Sequence, residues 1–316
     1  MSLALDPEVA QALAPMVAAM GDVTPPPLGD VAARRPIAEA IMAQTGAAQP
    51  IPDDVTTTDF SATATDGTPV SLRWYAKTNS APGSAALYLH GGGMIMGSVA
   101  LYDGPLARFV SRSGVPMLAV DYRLAPEHPH PTPVEDSYLG LTWLSEHAAE
   151  LGVDPRRIAV MGDSGGGGLA AAVALLARDR HGPALARQIL ICPMLDDRNT
   201  IPDPNIAPFA VWTYEDNATA WGALLGAAAG GPDVSAYAAA ARATDLTGLP
   251  PAYLEVGQLD IFRDENLTYA LGLGRAGVPV EFHLHPGVPH EFETFAFDAD
   301  VAKRATADQL RVLRSL

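Results

Sequence analysis

Apolar residues repeat along this chain in two rhythms, and the change between them divides it. Residues 7–20 and 30–47 show the period of helices and are separated by Thr24-Pro25-Pro26-Pro27, which cannot continue one. From Thr57 the rhythm becomes two. Segments 57–65 and 69–76 alternate around Asp66-Gly67-Thr68, a turn signal, so an antiparallel hairpin is predicted. Beyond it come short continuous apolar runs at 85–89, 115–120, 157–161, 188–192, 252–256 and 278–284, interleaved with helical patterns at 133–150, 166–180, 264–276 and 298–316. Continuous apolar strands alternating with helices predict a mostly parallel twisted sheet covered on both faces, joined by right-handed crossovers.

One stretch interrupts the alternation. After Leu195 the chain carries Pro202, Pro204 and Pro208, then a helical pattern at 214–225. This predicts three parts: N-terminal cap helices in residues 1–50, a catalytic core in 51–197 and 236–316, and a cap insertion in 198–235.

A chain of 316 residues with 48% hydrophobic and 18% charged residues can bury a large core. Its formal net charge of −16, with Lys77 and Lys303 the only lysines, argues against a partner bound through phosphates, so no nucleic acid is expected. A single cysteine, Cys192, excludes an internal disulfide and a multi-cysteine metal site. It ends an apolar run, where a buried, inert thiol is expected. The first residues include Asp6 and Glu8 and lack a basic segment ahead of an apolar one, and no apolar run approaches the length of a bilayer span. A cytoplasmic protein without stable membrane anchoring is the expectation, with a homodimer left open.

The chemistry begins at Gly162-Asp163-Ser164-Gly165-Gly166, which lies between an apolar strand and an alanine-rich helix. This fits G-x-S-x-G in its strand-turn-helix context. Glycines two residues either side let the serine sit on a sharp turn, and the Gly165 amide falls at a helix N-terminus, where free N–H groups favour a developing oxyanion. Taken alone, the same glycines could merely pack a helix closely against a strand. A second motif points to the same reaction. His90-Gly91-Gly92-Gly93 follows the strand at 85–89 and matches the loop that supplies the remaining oxyanion donors in lipases and esterases. Gly92 and Gly93 are the expected donors beside Gly165, and His90 is expected to brace the loop through its ring nitrogens.

Around such a turn the chain order is serine, acid, histidine. After the strand at 252–256, Asp260 lies in the loop, whereas Asp264 and Glu265 begin a helix, where first-turn acids complement the dipole. After the last strand, Pro286-Gly287-Val288-Pro289-His290 places His290 in a loop, whereas His283 and His285 share one strand face. Ser164, Asp260 and His290 are therefore the candidate nucleophile, acid and base.

With these elements in order, and with Asp121-Tyr122-Arg123-Leu124-Ala125-Pro126-Glu127 and Pro193-Met194-Leu195-Asp196 between them, the chain resembles the bacterial hormone-sensitive-lipase-like (family IV) esterases. The likeness runs from about residue 87 to 292. It implies an α/β-hydrolase fold and a serine carboxylesterase that needs no cofactor. It also implies a small-molecule acyl ester as substrate, of short to medium chain length, under a helical cap. Three positions depart from the common pattern: Gly165 where alanine is frequent, Met94 where an aromatic often follows the glycines, and Glu291 where glycine often follows the histidine.

Met94, Ile261, Val288 and the insertion aromatics Phe209, Trp212 and Tyr214 are candidate pocket residues; the aromatics could equally fill the cap's own core. His128 and His130 have a metal-like spacing but lack an obvious third ligand, and no metal is expected. Asp196-Asp197-Arg198, Asp121 and Arg123 read as local charge partners. Two further functions remain open: an amide or formamide hydrolase, which usually carries tryptophan near Met94, and a non-catalytic ligand receptor, which the complete set of three residues argues against.

Overall fold

The computed structural model describes residues 3–21, 24–81 and 83–316. Two helices, α1 (Pro7–Met20) and α2 (Val31–Ala47), open the chain, each capped by an aspartate side chain: Asp6 accepts from Glu8 and Val9, and Asp30 from Ala33. The hairpin follows as β1 (Val55–Thr63) and β2 (Pro69–Lys77), antiparallel throughout. Then come β3 (Gly83–Leu89), α3 (Asp103–Ser113), β4 (Met117–Asp121), α4 (Thr132–Glu146), β5 (Val153–Asp163), α5 (Ser164–Asp179) and β6 (Arg187–Ile191). The insertion contributes α6 (Tyr214–Leu225). The chain closes with β7 (Ala252–Gly257), α7 (Arg263–Arg275), β8 (Val280–His285), α8 (Phe292–Phe295) and α9 (Asp300–Arg314).

The eight strands form one sheet in the order β1-β2-β4-β3-β5-β6-β7-β8. The first two pair antiparallel with their neighbours and the other six run parallel. Alternation along β3 shows both faces covered. Leu87 reaches toward Gly140 of α4, while Tyr88 faces a cleft walled by Phe109 of α3 and Leu310 of α9. Helix α5 packs on α4, and α3 on α9. Strands β3, β6 and β7 are buried almost end to end, and β5 is buried from Ile158 onward, as continuous apolar runs require.

Three elements differ from the sequence expectation. Helices α3 and α8 lie where no helix is predicted, and β5 begins four residues before the apolar run at 157–161. Pro155, Arg156 and Arg157 interrupt the apolar pattern there, yet Val153 still pairs with Gly83.

The N-terminal helices attach at two places. Val9 and Leu13 of α1 share a small apolar core with Val288, Phe292 and Ala302 near the C-terminus. Helix α2 instead reaches the insertion: Arg34 Nε donates to Asp216 at 2.9 Å, and the Gly29 amide donates to Thr219. The adjacent Arg35 donates to Ile95 O at 2.8 Å and grips Glu127 with both terminal nitrogens. No helix among the described residues is long and apolar enough to cross a membrane.

Candidate active site

Strand β5 delivers the chain to Ser164 at its carboxyl end, and the turn is tight enough to force the serine to φ +52°. A side chain on Gly162 would overlap the carbonyl of Gly166, and one on Gly166 would overlap the carbonyl of Leu89. Glycine is the residue both positions tolerate. Ser164 thus stands at the head of α5, and its Oγ lies 2.8 Å from His290 Nε2.

The histidine is held from behind. His290 Nδ1 is 2.7 Å from Asp260 Oδ2, and Asp260 Oδ1 accepts the Phe262 amide at 2.9 Å. The Phe262 ring meets the imidazole edge on, 5.1 Å between centroids. All three residues are buried, Asp260 to 1% exposure. Burial works to lower the His290 pKa, but the charge and hydrogen bond of Asp260, with Glu291 and Glu293 behind them, push it up to about 9.

The glycine loop closes the third side. Gly92, Gly93 and Met94 take φ values of +106°, +58° and +62°, which turn the backbone back toward the serine. A Cβ on Gly165 would stand 2.8 Å from Gly93 N and 3.0 Å from Met94 N, so these amides gather at the first turn of α5. The Gly165 amide, in that first turn, has no intrahelical acceptor. His90 stacks on Tyr122 at 4.3 Å and its Nδ1 meets Gly91 O at 2.8 Å. The bracing expected of His90 comes from one ring nitrogen only, since Nε2 is buried without a partner.

Of the candidate pocket residues distant in sequence, Trp212 packs against the glycine loop: a Cβ on Gly93 would lie 2.8 Å from its ring. Met94 and Ile261 are buried at the ends of the loops that carry the glycines and Asp260. Tyr214 accepts the Asp203 amide and helps fill the insertion, and Phe209 is half-buried in a short turn there. Val288 is fully buried in the small core with α1. His283 and His285 are paired on β8, with Glu281 and Glu255. Cys192 is buried, and its thiol is pushed well up by burial.

Two groups escape the sequence reading. Glu265 is expected to begin α7 as a dipole-facing acid, but its buried carboxyl accepts the amides of Leu195 and Asp196 and pins the loop after β6. Asp163, inside the serine motif, accepts the hydroxyls of Tyr88 and Tyr102, both at 2.6 Å, and Tyr102 in turn accepts the Gly91 amide. The serine turn and glycine loop are thereby tied together from below.

An eight-stranded sheet ending in this turn, with serine, histidine and aspartate in hydrogen-bond line, defines an α/β hydrolase. A sequence profile of the alpha/beta hydrolase fold family matches residues 86–294. Esterase LipI of Mycobacterium tuberculosis is 36% identical over 273 residues, 84% of each chain, and carboxylesterase NlhH of that organism is 39% identical over 242 residues, 72% of each. Among solved structures, a bacterial heroin esterase matches with a TM-score of 0.89 at 39% identity, covering 98% of this chain and 97% of that one. A hyperthermophilic esterase from Pyrobaculum calidifontis matches at 0.85 and 31%, covering 99% of each. The chain belongs to the hormone-sensitive-lipase-like (family IV) carboxylic ester hydrolases.

Proposed function

We propose that this esterase cleaves acyl esters of short to medium chain length through an acyl-enzyme, with Ser164 as nucleophile, His290 as base and acid, and Asp260 as the group that orients the imidazole. The observation that carries this reading is the continuous hydrogen-bond line from Asp260 through His290 to Ser164. His290 takes the serine proton as Oγ attacks the carbonyl carbon and returns it to the leaving alkoxide; water then repeats the cycle on the acyl-enzyme. Asp260 fixes the tautomer and stabilises the imidazolium. The amides of Gly92, Gly93 and Gly165 receive the oxyanion, each donor contributing about 2.7 to 4 kcal/mol to the transition state.

The bonds from α2 to α6 and to Ile95 support residues 1–50 and 198–235 acting together as a cap. Helix α1, rooted in the core beside Val288, anchors that segment. Met94, Ile261 and Trp212 wall the acyl site in this reading, and Phe209, Tyr214 and Val288 stand behind them.

Hydrolysis of p-nitrophenyl esters of increasing chain length, beside the corresponding anilides, tests the proposal in wild type and Ser164→Ala. Ester turnover that peaks at short to medium chains and disappears in the variant is expected. Undiminished turnover without the serine hydroxyl, or a preference for anilides, would refute it.

A further inference from the structure

Glu291 occupies an unusual position. It follows His290 directly, in the left-handed region at φ +50°, where a side chain other than glycine is strained. Its carboxyl turns inward: Oε1 lies 3.8 Å from His290 Nε2, the nitrogen that faces Ser164, and the Asp163 carboxyl stands beside it. The three oxygens Asp163 Oδ2, Tyr102 Oη and Glu291 Oε1 crowd the space a side chain on Gly91 would need. Both tyrosines donate to Asp163 and two carboxylates have no donor between them, so a hydrogen bond between these carboxyls requires a proton.

Resting on the assignment of His290 as base, we propose that Glu291 is a positioning residue for that proton: bonded to Asp163, it keeps a proton that would otherwise sit on His290 Nε2. One proton has two homes. With the proton on Glu291, the imidazole is neutral and can accept from Ser164. With it on His290, the imidazolium faces a Glu291 carboxylate and is inert. Asp163, by accepting the Glu291 hydroxyl, selects the first arrangement.

The surroundings agree. Burial, then the charge of Asp163, pushes the Glu291 carboxyl well above the ordinary range, while His290 pulls the other way. Each carboxyl that keeps its proton removes one of the charges raising His290. The other groups facing this centre are Asp260, Cys192, Tyr88, Tyr102 and Glu293, with Glu255 and His285 behind Glu293. A solvent-open cleft of about 170 Å³ reaches Asp163, Glu291 and Glu293 from between α2, α3 and α9, with Arg108, Arg112 and Lys303 along its wall. Ser164 and His290 do not line it, so the Glu291 carboxyl can exchange its proton with water away from the ester.

The test is the pH dependence of kcat/KM for a short-chain ester in wild type, Glu291→Gln, Asp163→Asn and the double variant. The amide introduced by Glu291→Gln mimics the protonated acid, and the acid limb of this variant is expected at or below the wild-type pH. Asp163→Asn frees the proton to His290 and moves the limb up by about one pH unit, a tenfold loss below it; adding Glu291→Gln cancels that shift. Isotope-edited infrared spectra of the wild type at neutral pH should show a protonated carboxyl band that Glu291→Gln lacks, which decides the matter even where Asp163→Asn does not fold. An unmoved limb in Asp163→Asn, an upshift that persists in the double variant, or absence of the band would overturn the proposal. A wild-type profile with no acid limb would remove the base assignment itself.

Discussion

The carbonyl of Leu89, the last residue of β3, stands where a side chain on Gly166 would have to be. This contact packs the first turn of α5 against the root of the glycine loop and sets Ser164 beside the amides of Gly93 and Met94. Gly166→Ala is expected to lower stability by about 1 to 3 kcal/mol or more, as forced overpacking does. Activity should fall further than stability explains, because the added methyl separates Ser164 from Gly93. Thermal melts and kcat at a temperature where the variant remains folded check this; a folded variant of normal activity would show that the two loops are not coupled.

Asp260 is buried against His290, with its two oxygens taken up by the imidazole Nδ1 and the Phe262 amide. Asp260→Asn preserves the shape of the site but presents a donor where Nδ1 needs an acceptor, favouring the wrong tautomer. A fall in kcat of about 10³ to 10⁴ is expected, with KM little changed. A fall of only a few fold would place the orienting role elsewhere.

The parts of this site legible in the sequence are those whose chemistry is local. Glycine at two positions on either side of Ser164, three glycines after a strand, and a histidine in the loop after the last strand are requirements a few residues can express. Asp163 is not legible in that way: its partners Tyr88 and Tyr102 lie 75 and 61 residues away, and nothing near it announces them. Glu291 stands out as a departure from the family pattern, but the direction of its carboxyl depends on a backbone angle no composition reveals. Helix α3 escapes for another reason. It begins Asp103-Gly104-Pro105, which reads as a turn, and its apolar stripe of Leu106, Ala107 and Val110 is short and set among polar residues. Glu265 reads as a first-turn acid from its place on α7, whereas tertiary contact with the loop after β6 determines what it does.

Glu293 gives a pH signature in stability. Burial first, then the charge of Glu255, raises its carboxyl from the ordinary 4.5 to about 7, with His285 and His290 opposing. Between these values the native state binds a proton that the unfolded chain has released, so this group's contribution declines as pH rises from about 4.5 to about 7. Below the window both states are protonated; above it the full penalty is present. Glu293→Gln cannot ionise, so its stability relative to wild type should grow through that window and level off above it. Denaturant titrations at several pH values measure the difference, and a constant difference would show that Glu293 ionises freely in the folded protein.

Asp197 and Arg242 hold the two ends of the insertion together. Asp197 is wholly buried just after β6; its two oxygens accept Arg242 Nε at 2.7 Å and NH2 at 2.8 Å, and one also accepts the Gly230 amide at 2.6 Å. Gly230 and Arg242 lie where the chain returns from the insertion, so this one carboxylate joins its departure to its return. Removing one partner leaves the other buried and uncompensated, and Asp197→Ala is expected to cost about 3 to 5 kcal/mol. Replacing both residues with apolar side chains of similar volume removes the stranded charge, and Asp197→Leu with Arg242→Met should recover most of that loss. The Gly230 amide still loses its acceptor, so recovery should be incomplete. Equilibrium unfolding of the two single variants and the pair separates the cases: a double variant as unstable as the sum of the singles would mean that the residues stabilise the fold independently.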